Sequence, residues 1–322
     1  MCNLFIKLGI NIVRKEKRGL GHPSAKQYSE AFYKMADYVI ITDSSCDFTP
    51  ALEKETGVKT LSLSFLLDGR TYKNDAEGSD LPFDAFYAEL RNKKDVKTAA
   101  VNQEAFRAFM EPILEDGTDI LYIGFSSGLS STYNAGAVVA RELSEKYPER
   151  KAYAIDSLCA SLGQGLLVYL AAKKKAEGMD IDTLRDWCEN NKMSVCHQFT
   201  VDDLMFLKRG GRISAVTAVA GTMLAIKPVL HVDDEGHLIN VSKARGRRAS
   251  INALFDRMKA TYTGAEKTVF ISHGDCIEDA NYLASLIKAE FGVDSVIGYV
   301  GPVIGAHSGP GTLALFYIGS ER

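Results

Sequence analysis

The chain reads as a two-domain α/β protein, and three features predict that class. From Tyr38 onward, short apolar runs of strand length alternate with longer stretches of helical period. This is the rhythm of a mostly parallel sheet with helices on both faces. Past residue 190 the rhythm changes. The apolar stretches 229–232 and 238–241 flank Asp233-Asp234-Glu235-Gly236, a hairpin signal, so the second domain is predicted to be mixed α/β with a partly antiparallel sheet. The length of 322 residues suits two domains of ordinary size, and 46 % apolar with 25 % charged residues is enough to bury a large core. The expected division is a flexible extension over 1–36, a first domain over 37–195 and a second over 196–322.

Taken in order, residues 38–42 are an apolar strand and Asp43-Ser44-Ser45-Cys46-Asp47 is the polar loop after it. Pro50 stands at the first position of a helix that ends at Gly57. Residues 58–67 have strand character up to the turn Asp68-Gly69. Helices are expected over 84–91, 102–116, 132–146 and 160–177, the last stopped by Gly178, with strands over 120–125 and 151–155. In the second domain, strands are expected over 195–201, 268–273, 295–300 and near 313–318. Its helices are expected over 203–208, 214–225, 247–262 and 277–291. Polar loops after parallel strands gather at the sheet's carboxyl edge, where such folds bind ligands.

Charge and cysteine usage exclude several classes. A net charge of −3 leaves no basic face broad enough for general nucleic-acid binding. Residues 1–34 do carry seven Lys/Arg against two Asp/Glu. There Leu4, Phe5, Leu8 and Ile12 share one side of a short amphipathic helix, a loosely docked extension or a membrane-surface anchor. Met35 is an alternative start, because Ala36-Asp37-Tyr38 leads straight into the first strand; the N-terminal mass of protein made from the native gene decides this. The apolar run 215–226 is about half the ~20 residues of a membrane span, so no stable membrane insertion is expected. The basic run 14–18 follows the apolar stretch 4–13, the reverse of a signal peptide, which points to the cytoplasm. Cysteines 2, 46, 159, 188, 196 and 276 show no C-x-x-C spacing and read as core thiols in a reducing compartment. The six histidines (22, 197, 231, 237, 273, 307) form no i, i+4 pair, so no metal site is expected.

Three loops carry candidate chemistry. Gly124-Phe125-Ser126-Ser127-Gly128-Leu129-Ser130-Ser131-Thr132 follows a strand and opens a helix, a hydroxyl-rich N-terminus suited to an anion. The same stretch matches G-x-S-x-G around Ser126, and with His307 downstream it offers a serine hydrolase or esterase as the alternative function. No HGGG-type oxyanion segment accompanies it. Residues 301–312, rich in Gly and Pro, read as a rigid loop whose one titratable side chain is His307. Lys208-Arg209-Gly210-Gly211-Arg212-Ile213-Ser214 is a basic turn suited to a carboxylate through Arg209 or Arg212. It lacks the Walker spacing, which occurs nowhere in the chain, so intrinsic ATP use is not expected.

These segments together resemble the DegV family. The matching pieces are Ile41-Thr42-Asp43-Ser44-Ser45-Cys46-Asp47, Ser126-Ser127-Gly128-Leu129-Ser130-Ser131-Thr132-Tyr133, Asp156-Ser157 and Gly163-Gln164-Gly165. Phe206-Leu207-Lys208-Arg209-Gly210-Gly211-Arg212-Ile213, Ile226-Lys227-Pro228 and the stretch 301–312 complete the set, in family order. The resemblance implies two α/β domains with one long-chain fatty acid buried at their junction. It implies no enzyme in its own right and no cofactor, but the lipid-presenting subunit of a bacterial fatty acid kinase. Its partner would be a separate ATP-dependent kinase subunit that phosphorylates the carboxylate, and the acyl phosphate would enter phospholipid synthesis. By position, the family's carboxylate-binding residues fall on Thr98, on Ser127 or Ser130 within 126–130, and on His307, with Arg209 the matching arginine. Asp43, Ser44, Ser126, Gly128 and Gly309 would support them. The family's frequent Thr-Ser-Gln-Pro-Ser is Thr98-Ala99-Ala100-Val101-Asn102 here, and its usual Ser-Gly-Thr is Ser130-Ser131-Thr132. The first change removes polar groups beside the head group, so lipid preference and kinase docking are expected to differ.

The chemistry agrees with this implication. Burying a CH₂ contributes about 0.8 kcal/mol, so a 16-carbon chain offers at most ~12 kcal/mol before ordering costs. The acyl tail supplies affinity; the head group supplies orientation and needs a hydrogen bond at each oxygen.

Overall fold

The computed structural model describes residues 38–213 and 226–322. The amphipathic stretch 4–12, the alternative start at Met35 and the helix expected over 214–225 lie outside the described residues.

The chain is a mixed α/β fold in which one sheet is parallel and a second is largely antiparallel. The parallel sheet has the order β2-β1-β6-β7, formed by β1 (Tyr38–Asp43), β2 (Lys59–Leu61), β6 (Asp119–Gly124) and β7 (Ala152–Asp156). Strand β1 pairs with β6 from Tyr38↔Asp119 to Thr42↔Ile123, and every residue of β6 is buried. A strand covered on both faces reads as a continuous apolar run, which is why its sequence was legible. The larger sheet contains β8 (Val195–Thr200), β9 (Ile226–Val232), β10 (Leu238–Arg245), β11 (Val269–His273), β12 (Ser295–Tyr299) and β13 (Leu313–Ile318). Its order is β10-β9-β8-β13-β11-β12, and only β11 and β12 run parallel.

Helix α5 (Leu162–Ala176) joins the two sheets through one shared core. Its Leu162, Leu166 and Val168 belong to the same buried cluster as Leu121 and Ile155 of the parallel sheet and Phe199 and Phe316 of the larger one. A methyl group on Gly163 would strike the ring of His197 on β8, so helix and strand approach at backbone distance. Helices α8 (Arg247–Thr261) and α9 (Ile277–Phe291) bury Leu254, Met258, Leu283 and Ile287 against Leu315 and Tyr317.

A third, small sheet of order β4-β3-β5 combines β3 (Ser64–Leu67), β4 (Arg70–Lys73) and β5 (Val96–Ala99), all antiparallel. Phe65 of β3 packs edge-on against Phe86 of α2 (Phe83–Arg91) at 5.3 Å between ring centres. This sheet corrects the single strand expected over 58–67. The Leu63 amide donates to Ser44 Oγ at 2.9 Å instead of to a strand neighbour, and the chain leaves the parallel sheet there. Two elements were not anticipated. Strand β5 is short and half exposed, with little apolar pattern. Helix α6 (Ile181–Asn191) is announced chiefly by its cap, Asp180, which accepts from the amides of Asp182 and Thr183 at 3.0 Å.

The remaining helices α1 (Pro50–Thr56), α3 (Gln103–Glu115) and α4 (Thr132–Lys146) follow the expected positions, Asn102 capping α3 through the Ala105 amide at 2.9 Å. The basic turn lies after α7 (Leu204–Arg209). The rigid loop expected over 301–312 is corrected: Pro302–Ser308 is a helix, α10, with Pro302 in its first turn. The glycine that suggested a loop, Gly305, lies against α2. A methyl group there would come within 2.6 Å of the Tyr87 hydroxyl.

Candidate functional site

A cavity of about 300 Å³ lies where β5, the loop after β6, α7, α10 and the larger sheet meet. Phe125, Leu129, Phe199, Leu207, Val303 and Phe316 make its apolar wall. Polar groups enter from Thr98, Ser130, Ser131, Arg212, His307 and Ser308. The pairing of β5 with β3, Phe65 opposite Thr98, sets the strand that carries Thr98. Helix α10 carries His307, and the two side chains meet with Thr98 Oγ1 and His307 Nε2 2.8 Å apart. A methyl group on Gly210 would collide with the other ring nitrogen of His307, so this glycine lets the imidazole lie against the turn after α7.

The site is poor in fixed charge. Burial, helped by the nearby Arg212 guanidinium, pushes the His307 imidazole down to about 4, so it is neutral at pH 7. Arg212 is itself engaged: its Nε donates to the Leu129 carbonyl at 3.2 Å and a terminal nitrogen to the Gly210 carbonyl. It therefore ties the 126–130 loop to the end of α7. Ser308 Oγ is buried and makes no hydrogen bond among the described residues.

The low His307 value carries a stability prediction. The unfolded chain takes up a proton below about 6.5, whereas the folded site does so only near 4. Stability from the neutral imidazole is therefore complete above about 6.5 and is lost as pH falls from there towards 4. After screening, the lipid-free protein is expected to lose roughly 1–3 kcal/mol more than a His307→Gln variant across this window. Parallel urea titrations of the two proteins at several pH values would show it; parallel curves would rule it out.

The structure brings some of the expected residues together and not others. Thr98, Ser130 and His307 line the cavity. Ser130 Oγ also lies 2.9 Å from Thr132 Oγ1 and accepts from the Thr132 amide, so the same hydroxyl steadies the start of α4. Ser127 is exposed and is not part of the cavity wall; its amide donates to Asp156 Oδ1. Arg209 is exposed too, its guanidinium lying 4.7 Å above the Phe206 ring, and Arg212, three positions on, takes the place at the cavity. The amides of 126 to 130 and of 132 all donate within the fold. The loop thus offers the cavity hydroxyls rather than an open row of amides. Of the two arginines the basic turn offered, Arg212 is the one at the cavity, and Ser308, beside His307, is the residue the sequence reading missed.

The supporting residues act through packing. Asp43 is fully buried and its carboxylate accepts from Tyr122 Oη at 2.8 Å, the Phe125 amide at 3.0 Å and Ser45. Ser44 Oγ accepts from the Asn74 amide at 3.0 Å as well as from Leu63. Gly128 faces the β9–β10 turn so closely that a methyl group would lie 2.8 Å from the Glu235 carbonyl. Gly309 closes α10 at φ 82°, where a side chain would also strike Phe206. Ser126 is fully buried, its Oγ donating to the Gly236 carbonyl at 2.9 Å, and it has no hydrogen bond to His307. Among the described residues there is no group of three or more His, Cys, Asp or Glu arranged for a metal. No described helix is long and apolar enough to cross a membrane.

Comparison with known proteins bears on the family and the fold. The model of the DegV family, described as uncharacterised proteins, matches residues 37–320. A DegV domain-containing protein of Clostridium perfringens is 43 % identical over 290 residues, covering 89 % of this chain and 99 % of its own. Among solved structures, a fatty acid binding DegV family protein of Streptococcus agalactiae is 28 % identical with TM-score 0.76, covering 89 % of this chain and 99 % of its own. A DegV family protein of Thermus thermophilus, solved for its fatty acid binding, is 25 % identical with TM-score 0.77, covering 88 % of this chain and 99 % of its own. A match along nearly the whole described length, together with close relatives of almost equal span, means that the chain belongs to the DegV family.

Proposed function

We propose that this protein binds one long-chain fatty acid in the cavity, the acyl chain against Phe125, Phe199 and Phe316 and the carboxylate at Thr98 and His307. The observation that carries this reading is the Thr98–His307 pair, two uncharged polar groups 2.8 Å apart on the wall of a mostly apolar cavity. Ser308 Oγ and Ser130 Oγ add hydroxyls for the remaining carboxylate lone pairs. The fatty acid binding of the Thermus thermophilus and Streptococcus agalactiae relatives supports it. In this reading residues 37–195 and 196–322 act as two domains that hold the ligand between them. The test is organic extraction of freshly purified protein followed by mass spectrometry. About one fatty acid per chain is expected; a lipid-free extract from soluble protein would remove the reading. In the loaded protein the carboxylate beside His307 favours the imidazolium, so its titration is expected to move upward from about 4. Imidazole NMR shifts of loaded and stripped protein check the direction.

The protein is further proposed to present the carboxylate to a separate ATP-dependent kinase subunit, and to act in the cytoplasm. Presentation is supported because Thr98 and His307 are neutral and Arg212, the cation of the wall, is already bonded to two backbone carbonyls; a tightly paired Lys or Arg would blunt the carboxylate's attack on phosphorus. The five described cysteines, all free thiols, support a reducing compartment. Thr98→Ala and His307→Ala are each expected to lower acyl phosphate formation by about 10–100-fold while lipid content falls less than twofold. The assay combines each variant with the kinase subunit from the same genome and traps the product as a hydroxamate. Equal loss of both properties would show that these residues only hold the lipid. The hydrolase alternative has little support, since Ser126 is occupied by Gly236 and Thr98 occupies the His307 ring nitrogen.

A further inference from the structure

A second cavity, of about 370 Å³, lies at the carboxyl ends of β1, β11 and β12, and no residue lines both cavities. Its chemistry differs from that of the first. Asp47, Glu53 and Asp75 reach its wall and no Lys or Arg does, so among the described residues it is acidic. Phe48, Phe83 and Tyr299 give it aromatic sides, with Phe83 and Tyr299 stacked at 5.2 Å between ring centres.

Three acceptors of this wall are buried without a well-aligned partner among the described residues: Asp47 Oδ1, Asn74 Oδ1 and Thr60 Oγ1. Asp47 and Asn74 are only 8 % and 3 % exposed. Asn74 is held in one orientation, because its Nδ2 donates to the Ser44 carbonyl and to Ser44 Oγ, each at 3.0 Å, which leaves Oδ1 as the free end. The other Asp47 oxygen is taken by Ser161 Oγ at 2.5 Å. The two free oxygens converge beside Gly301: a methyl carbon there would sit 2.5 Å from Asp47 Oδ1 and 2.9 Å from Asn74 Oδ1. Buried acceptors without donors destabilise a fold, and an unpaired carboxylate does so most.

We propose that this cavity binds a small organic primary amine as its ammonium ion, the three N–H groups donating to Asp47, Asn74 and Thr60 and the apolar body lying against Phe48, Phe83 and Tyr299. A primary ammonium can donate to the converging oxygens of Asp47 and Asn74 and has a third N–H for Thr60 Oγ1 of the same wall, and its positive charge favours the ionised form of Asp47. A bare metal ion would use the oxygens but leave the aromatic walls and most of the volume without a role. Burial pushes the Asp47 carboxyl up to about 8, only partly offset by the Ser161 hydroxyl and the Gly301 amide, as befits a carboxyl whose counter-charge comes from outside the protein. The proposal does not rest on the fatty acid reading, since the two cavities share no lining residue and differ in chemistry, although Ser161 of the first cavity's wall bonds Asp47 of the second.

The test is NMR titration of the isotope-labelled, lipid-loaded full chain with phenethylamine, in parallel with phenethyl alcohol, phenethyltrimethylammonium and calcium chloride. Phenethylamine is expected to bind saturably, to shift the Asn74 side-chain amide signals, and to bind at least about tenfold more tightly than the other three. Asp47→Asn is expected to weaken it by about tenfold or more, and Thr60→Val, which keeps the β-branched shape, by about threefold to tenfold. If Asp47→Asn fails to fold, the wild-type Asn74 signals and Thr60→Val still decide. Absence of saturable binding overturns the proposal. So does equal binding of the trimethylammonium compound, which has no N–H donor, or tighter binding of calcium. Wild-type affinity in the folded variants overturns it too.

Discussion

Asp43→Ala is expected to destabilise the protein by roughly 3–5 kcal/mol, a large loss for one polar side chain. Three residues donate to this carboxylate: Tyr122 of β6 through its hydroxyl, Phe125 after β6 through its amide, and Ser45 after β1 through both amide and hydroxyl. The alanine would leave the Tyr122 hydroxyl and the Phe125 amide buried and unpaired, while the Ser45 hydroxyl keeps Gln164 Oε1 as a partner at 3.1 Å. Tyr122→Phe removes one donor from the same carboxylate and is expected to cost only about 1–1.5 kcal/mol. Because the Phe125 amide anchors the 126–130 loop, the alanine protein should also lose bound lipid. Urea unfolding of both variants, with lipid content measured alongside, tests the argument. A loss below about 1 kcal/mol for Asp43→Ala would mean that water replaces the carboxylate easily.

Leu238→Glu is expected to empty the cavity while leaving the fold nearly intact. Leu238 opens β10, is half-buried, and lines the cavity from the larger sheet. A carboxyl group there either ionises beside the acyl chain or is buried protonated, and both disfavour the lipid by several kcal/mol. Since each 1.4 kcal/mol is a factor of ten, co-purified fatty acid should fall from about one per chain to below about a tenth. Leu238→Met preserves volume and polarity and should keep the ligand. Full occupancy in the glutamate protein would mean that the acyl chain runs along another wall.

Much of the scaffold was legible because its signals are local. Thr49-Pro50 and Gly57 bracket α1: the Thr49 side chain accepts from the Leu52 amide at 3.3 Å and Gly57 adopts φ 63°. The expected bounds of α4, α9 and β13 match the observed ones, β13 because it is a continuous apolar run of strand length. The loop after β6 and His307 stood out by residue chemistry, whereas Thr98 came only from motif order within the family.

What the tertiary structure decided depends on residues distant in the chain. Thr98 and His307 are 209 positions apart, and their contact exists only because β5 joins β3 and α10 packs on α2. Gly305 signals a loop by composition, yet it lies in a helix, where its missing side chain leaves the space that Tyr87 fills. The choice of Arg212 over Arg209 at the cavity depends on how the turn after α7 is oriented, which is set by its bonds to the Leu129 and Gly210 carbonyls. Caps, turns and periods act between near neighbours, so a sequence states them directly. A ligand site is made where several elements converge, and that convergence is chosen by packing over the whole core.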